Sequence, residues 1–155
     1  MKTASVWLSL LLFCMLPSII NAAGNTDVEG AWINEAPPTA TVLAGYASLH
    51  NYSDQDIELI QVTSPAFNKV EIHQNVVKDD VASMVKQESL TISAASKVEL
   101  SPGGLHLMLY QPESRLKAGD TVILEFFFSD GTGITTSAEV KRLQFDQHHH
   151  HNHNH

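Results

Sequence analysis

The sequence predicts an all-β fold, an antiparallel sandwich of two sheets, and three observations carry that expectation. Short segments rich in β-branched and aromatic residues recur from Val28 onward. Clusters of Gly, Pro, Ser and Asp separate them at the spacing of a sandwich. No apolar period of 3.6 residues persists long enough to make a substantial helix.

Taken in order, residues 44–51 (AGYASLHN) form the first clear strand, which stops at Ser53-Asp54. Residues 57–63 (IELIQVT) follow and break at Ser64-Pro65, and residues 69–76 (KVEIHQNV) run into Lys78-Asp79-Asp80. Residues 83–88 resume after that turn. Residues 97–100 and 105–110 flank Ser101-Pro102-Gly103-Gly104, where no strand can continue. Ala118-Gly119-Asp120 precedes residues 121–129, and Asp130-Gly131-Thr132-Gly133 separates them from residues 134–140. Seven or eight strands are thus expected.

The two ends differ in kind from this middle. Lys2 precedes the apolar run 6–16 (VWLSLLLFCML), and residues 17–23 (PSIINAA) end in small side chains, the pattern of an export signal cleaved after Ala22. The run is shorter than the roughly 20 residues a spanning helix needs, so no membrane insertion is expected and the mature chain belongs outside the cytoplasm. A lipid anchor at Cys14 is disfavoured, because Phe13 stands where a lipoprotein signal has a small residue. After residue 145 the sequence becomes DQHHHHNHNH, with no apolar side chain to bury and no expected structure without a ligand. The expected organisation is a signal over 1–22, one domain over 23–145 and a His-rich tail over 146–155.

Composition removes several function classes. Cys14 is the only cysteine and leaves with the signal, so the domain has no disulfide, no thiolate nucleophile and no thiolate metal ligand. The formal charge is −8 and becomes one unit more negative when Lys2 is removed. An acidic protein without a basic run is a poor partner for nucleic acid or anionic lipid.

The domain's chemistry rests on His50, His73, His106, Met84 and Met108. In residues 105–110 (LHLMLY) three leucines alternate with His106, Met108 and Tyr110, so His106 and Met108 share a face with Cβ atoms about 7 Å apart. Val70 and Ile72 alternate with Glu71 and His73 in the same way. A tight hairpin centred between Lys78 and Asp79 would set His73 opposite Met84. Two imidazoles and two thioethers form a soft, neutral set that favours Cu(I), whereas zinc ordinarily recruits Cys, more His or carboxylate, and calcium or magnesium needs oxygen. Without thiolate, a blue-copper electron-transfer centre is excluded. Spacing alone leaves the bland reading open, with the methionines as core filler and the histidines as surface residues.

The order His73, ten residues, Met84, twenty-one residues, His106, one residue, Met108 resembles the H-x10-M-x21-H-x-M motif of the periplasmic PCu(A)C copper chaperones. The resemblance extends over residues 28–141: Ala31-Trp32, Gly45-Tyr46 leading to Asn51, Glu71-Ile72-His73, and Pro102-Gly103-Gly104-Leu105-His106-Leu107-Met108. It implies a cupredoxin-like antiparallel β-sandwich that binds Cu(I) through His73, Met84, His106 and Met108. It also implies a periplasmic carrier that delivers copper to an acceptor, such as a cytochrome oxidase copper subunit or its assembly factor. Many members carry methionine directly after the first histidine, where this chain has Gln74.

The remaining residues divide between structure and function. His50 is expected to be a solvated strand-end residue instead of a fifth ligand, and Trp32 a core or edge aromatic that could shield Cu(I). Asn51-Tyr52-Ser53 matches a glycosylation acceptor, a triplet common by chance. The tail histidines His148, His149, His150, His151, His153 and His155 suit Cu(II) or zinc, since imidazole accepts both. No Ser/His/Asp or paired-carboxylate arrangement is present, and a histidine-brace enzyme needs an N-terminal ligand that cleavage near Ala22 does not expose, so no catalytic activity is expected. A copper storage or tolerance protein and a metal-free structural sandwich are the alternatives.

Overall fold

The computed structural model describes residues 25–143 and contains ten strands and, among those residues, no helix. The strands are β1 (Thr26–Asn34), β2 (Val42–Asn51), β3 (Ile57–Thr63), β4 (Phe67–Lys78), β5 (Val81–Gln87), β6 (Leu90–Ile92), β7 (Ser96–Leu100), β8 (Leu105–Pro112), β9 (Thr121–Phe128) and β10 (Gly133–Lys141). Hydrogen bonding follows the order β5-β4-β8-β2-β1-β10-β9-β3-β6, with β7 paired to the far half of β2. This continuous sheet folds over so that β3 approaches β4 and β2 approaches β6. The sandwich expected from the sequence is borne out.

Its core is the inward half of the alternating strands other than β5. Ile33, Leu49, Leu59, Ile92, Leu107, Leu109, Leu124, Phe126 and Val140 are all fully buried. Side chains of this size contribute about 1.5–3 kcal/mol each on burial. The three leucines of the LHLMLY run enter this core, or its margin at Leu105, which frees the alternate residues for the opposite face. Gly45 lies opposite Leu107, and a Cβ there would stand 2.8 Å from Leu109 Cδ1. The leucines of β8 therefore pack directly onto the bare backbone of β2.

Three details differ from the sequence expectation. Two strands were not foreseen. In β1 the alternation is interrupted by a register shift between Glu29 and Trp32, with Gly30 at φ 60°, and β6 has only three residues. One pair, β1 with β10, is parallel, so the sheet is mixed where a purely antiparallel one was expected.

The third difference is the β4–β5 register. Asp79 and Asp80 both have positive φ, at 52° and 61°, as the two central residues of a type I′ turn require, and Asp tolerates that conformation better than Lys. The hairpin is thereby centred between Asp79 and Asp80, one residue later than expected. Met84 faces Asn75, and His73 faces Lys86.

At the other end of β2, Asn51 acts as a corner post. Only 1% exposed, its Nδ2 donates to the carbonyls of Gln55, Ile92 and Ser93, while its Oδ1 accepts from the backbone N–H and the hydroxyl of Ser53. An amide so committed leaves no attachment point for a glycan, and the Asn51-Tyr52-Ser53 triplet is structural.

Candidate metal site

The outward face of β8, β4 and β5 gathers the chemistry. His73 on β4 pairs directly with His106 on β8, and Glu71 pairs with Met108. The two imidazole rings lie 6.2 Å apart between centroids at 37°. An ion bonded to two imidazoles at about 2 Å each can span ring centres up to roughly 6 Å apart, so the observed separation is near the upper limit for sharing one. Both rings are largely withdrawn from solvent, His106 at 6% exposure and the His73 side chain at 12%.

Backbone and carboxylate groups orient these rings. His106 Nδ1 lies 3.0 Å from the Gly104 carbonyl oxygen, and His73 Nε2 lies 3.0 Å from Glu71 Oε2. His73 Nδ1 is buried and has no partner. The other carboxylate oxygen of Glu71 is 3.1 Å from Lys69 Nζ and 3.8 Å from Lys86 Nζ. Tyr110, beneath the Lys69 ammonium at 4.4 Å from its ring centre, places its hydroxyl 3.6 Å from Met108 Sδ. The sequence reading left Glu71 and Tyr110 out of the site. Their alternation with His73 and Met108 was the available signal.

Met84 is on the correct face but further away. From its register it lies two strands and four residues from Met108, roughly 16 Å on a flat sheet. It is 57% exposed, and β5 contributes nothing to the core. A shared ion requires the β4–β5 ribbon to curl over the sheet, and two-stranded ribbons twist more strongly than wide sheets. The structure thus brings His73, His106 and Met108 together and leaves Met84 on the adjoining arm. Among the described residues no three His, Cys, Asp or Glu side chains are grouped to hold an ion by themselves, so any site here must draw on thioether sulfur.

His50 does not join this group. It lies six residues along β2 from Ala44, the partner of Met108, which is about 20 Å of strand. There it faces Glu29 at 3.6 Å and stacks on Tyr52. Trp32 meets Tyr46 with ring centres 4.4 Å apart and a 36° tilt, and Tyr46 is on the same sheet face as Ala44, the partner of Met108. The tail histidines His148 to His155 and the expected export signal with Cys14 lie outside the described residues.

Electrostatics mark Glu71. Hydrogen bonds from His73 and Lys69 outweigh burial and hold its carboxyl down at about 2, against an ordinary 4.5. The unfolded chain therefore takes up this proton first as pH falls. Its contribution to stability is complete above about 4.5 and is lost as pH falls towards 2. Glu71→Gln, which cannot titrate, is expected to show a shallower fall of the urea midpoint across that window. An unchanged slope would mean that the carboxylate is not stabilised by these partners.

Residues 26–140 match the family model described as "Putative lipoprotein LpqE-like". The chain belongs to the LpqE-like family. Protein RP573 of Rickettsia prowazekii, itself uncharacterised, is 37% identical over 137 residues, covering 75% of this chain and 76% of that protein. The solution structure of CuI-DR1885 from Deinococcus radiodurans is 30% identical with a TM-score of 0.62, covering 79% of this chain and 82% of that one. A copper-bound PCuAC domain from PmoF2 superposes with a TM-score of 0.66 at 22% identity, over 77% of this chain and 95% of that domain, which shows the shared fold. The likeness to PCu(A)C proteins expected from the sequence is borne out.

Proposed function

We propose that this LpqE-like protein is an extracytoplasmic Cu(I) chaperone that holds the ion with His73, His106 and Met108, adds Met84 by closure of the β4–β5 ribbon, and passes the ion to a copper-accepting protein. The observation that carries this reading is the buried His73–His106 pair with Met108 on the same face. Family membership alongside a copper-loaded relative supports it. Two imidazoles and two thioethers bring no charge to the ion, so each can be exchanged singly for a stronger ligand on the acceptor. An acceptor in cytochrome oxidase assembly, a periplasmic location and the absence of catalytic activity are parts of the same proposal. The exposure of Met84 suits it to be the first ligand released.

The tail supplies a different kind of site. Its imidazoles suit Cu(II) or zinc, and tethering them to the domain raises their local concentration beside the Cu(I) site. Imidazole binds metal only when neutral, so with an ordinary pKa near 6.5 the tail should release metal on acidification to about pH 5, before the thioether-assisted site does. Deleting residues 147–155 is expected to remove the Cu(II) and zinc capacity and to leave one Cu(I) per chain. Loss of Cu(I) from the shortened protein would make the tail part of the main site and contradict the two-site picture.

A further inference from the structure

We infer that Glu71 is a positioning residue that makes the two histidines bind copper through different nitrogens, His73 through Nδ1 and His106 through Nε2. The inference rests on the Cu(I) reading above and assigns what that reading leaves open. Carbonyl and ionised carboxylate oxygens only accept hydrogen bonds, so the nitrogen facing each must carry the proton. His106 Nδ1 faces the Gly104 carbonyl at 3.0 Å, which leaves Nε2 with the free lone pair. His73 Nε2 faces Glu71 Oε2 at 3.0 Å, which leaves Nδ1. That Nδ1 is buried without any partner, an unfavourable condition that is relieved when the atom acquires a ligand.

Glu71 is built for this task. One oxygen is held by Lys69 at 3.1 Å, with Lys86 at 3.8 Å, which leaves the other aimed at His73. The carboxylate is thereby fixed from one side and directs the ring from the other, the arrangement in which an outer partner sets the orientation and basicity of a ligating histidine. The β4–β8 register places Glu71 beside Met108 in the same row, so the carboxylate also borders the thioether ligand. Loss of such an outer partner commonly weakens metal binding 10- to 100-fold.

The test uses the mature protein, signal removed and tail present, labelled with nitrogen-15. Cu(I) is diamagnetic, so the imidazole nitrogen that binds it can be identified by its coordination shift. In the metal-free protein at pH 8, His73 should carry its proton on Nε2 and His106 on Nδ1. Added Cu(I) should shift His73 Nδ1 and His106 Nε2. Glu71→Leu, which removes the acceptor, should bind Cu(I) 10- to 100-fold more weakly and lose the preference for Nδ1. Glu71→Gln retains an acceptor oxygen and should restore most of both. A Cu(I) shift on His73 Nε2 in the wild-type protein overturns the assignment while leaving the copper site standing. So does a folded Glu71→Leu protein with unchanged affinity and unchanged nitrogen. No shift on either histidine overturns the copper reading and this inference together. The wild-type nitrogen assignment decides the question even if Glu71→Leu does not fold.

Discussion

Replacing Met84 and Met108 together by leucine is expected to abolish tight Cu(I) binding while leaving the domain folded. Leucine and methionine have nearly the same volume, and such exchanges usually cost less than about 1.5 kcal/mol. Neither position is in the core: Met84 is on the exposed ribbon, and Met108 faces away from the leucines on β8. The chemical change is large by contrast, because thioether sulfur is what would give the proposed site its preference for Cu(I) over harder ions. The single variants should differ. Met108 lies beside the histidine pair, so Met108→Leu should be the more damaging, and Met84→Leu should chiefly speed release. Equal Cu(I) affinity in the folded double variant, measured by chelator competition, would remove both thioethers from the site.

The largest loss of stability is expected at a position remote from the proposed copper site. Asn51→Ala removes five hydrogen bonds that tie the end of β2 to the following turn and to the end of β6. It leaves the Ile92 carbonyl buried without this donor and opens a cavity where a side chain was 1% exposed. A cost of about 3–5 kcal/mol is expected, in the range reserved for buried networks. Urea denaturation followed by far-UV circular dichroism measures it. A loss below about 1 kcal/mol would show that the network is replaceable by water.

These two residues illustrate what the sequence discloses and what it withholds. Met108 was placed correctly because its position depends on local alternation: in LHLMLY the two-residue period alone sends Leu107 and Leu109 inward and His106 and Met108 outward. His73 was likewise assigned to the outward face of its strand. The pairing of His73 with His106 was not legible, since residues so far apart in sequence meet only through the β4–β8 register, which the whole fold sets. Glu71 was legible only in part: its place between Lys69 and His73 on one face of β4 is local, but Lys86 and Tyr110 become its partners only in the assembled sheet. The hairpin register failed by one residue, because the midpoint was placed at Lys78-Asp79 where the turn needs two residues that tolerate positive φ, Asp79 and Asp80. The first strand escaped notice because a bulge at Gly30 breaks its alternation.

That hairpin displacement bears on mechanism. A one-residue change in the turn centre moves Met84 from opposite His73 to opposite Asn75 yet keeps it on the same face, because the pairing shifts by two. The thioether is displaced along the ribbon and retains its orientation, and it sits on the least buried segment of the described chain. A ligand in that position suits a carrier, which must give up its ion, better than a protein that stores it.

Competition of the mature protein with a chromogenic Cu(I) chelator measures whether this face holds copper. One tightly held Cu(I) per chain is expected, retained when residues 147–155 are deleted and lost when His73 and His106 are both replaced. A chain that takes no Cu(I) from the chelator, or keeps it after both histidines are gone, would contradict the assignment of this face as the copper site.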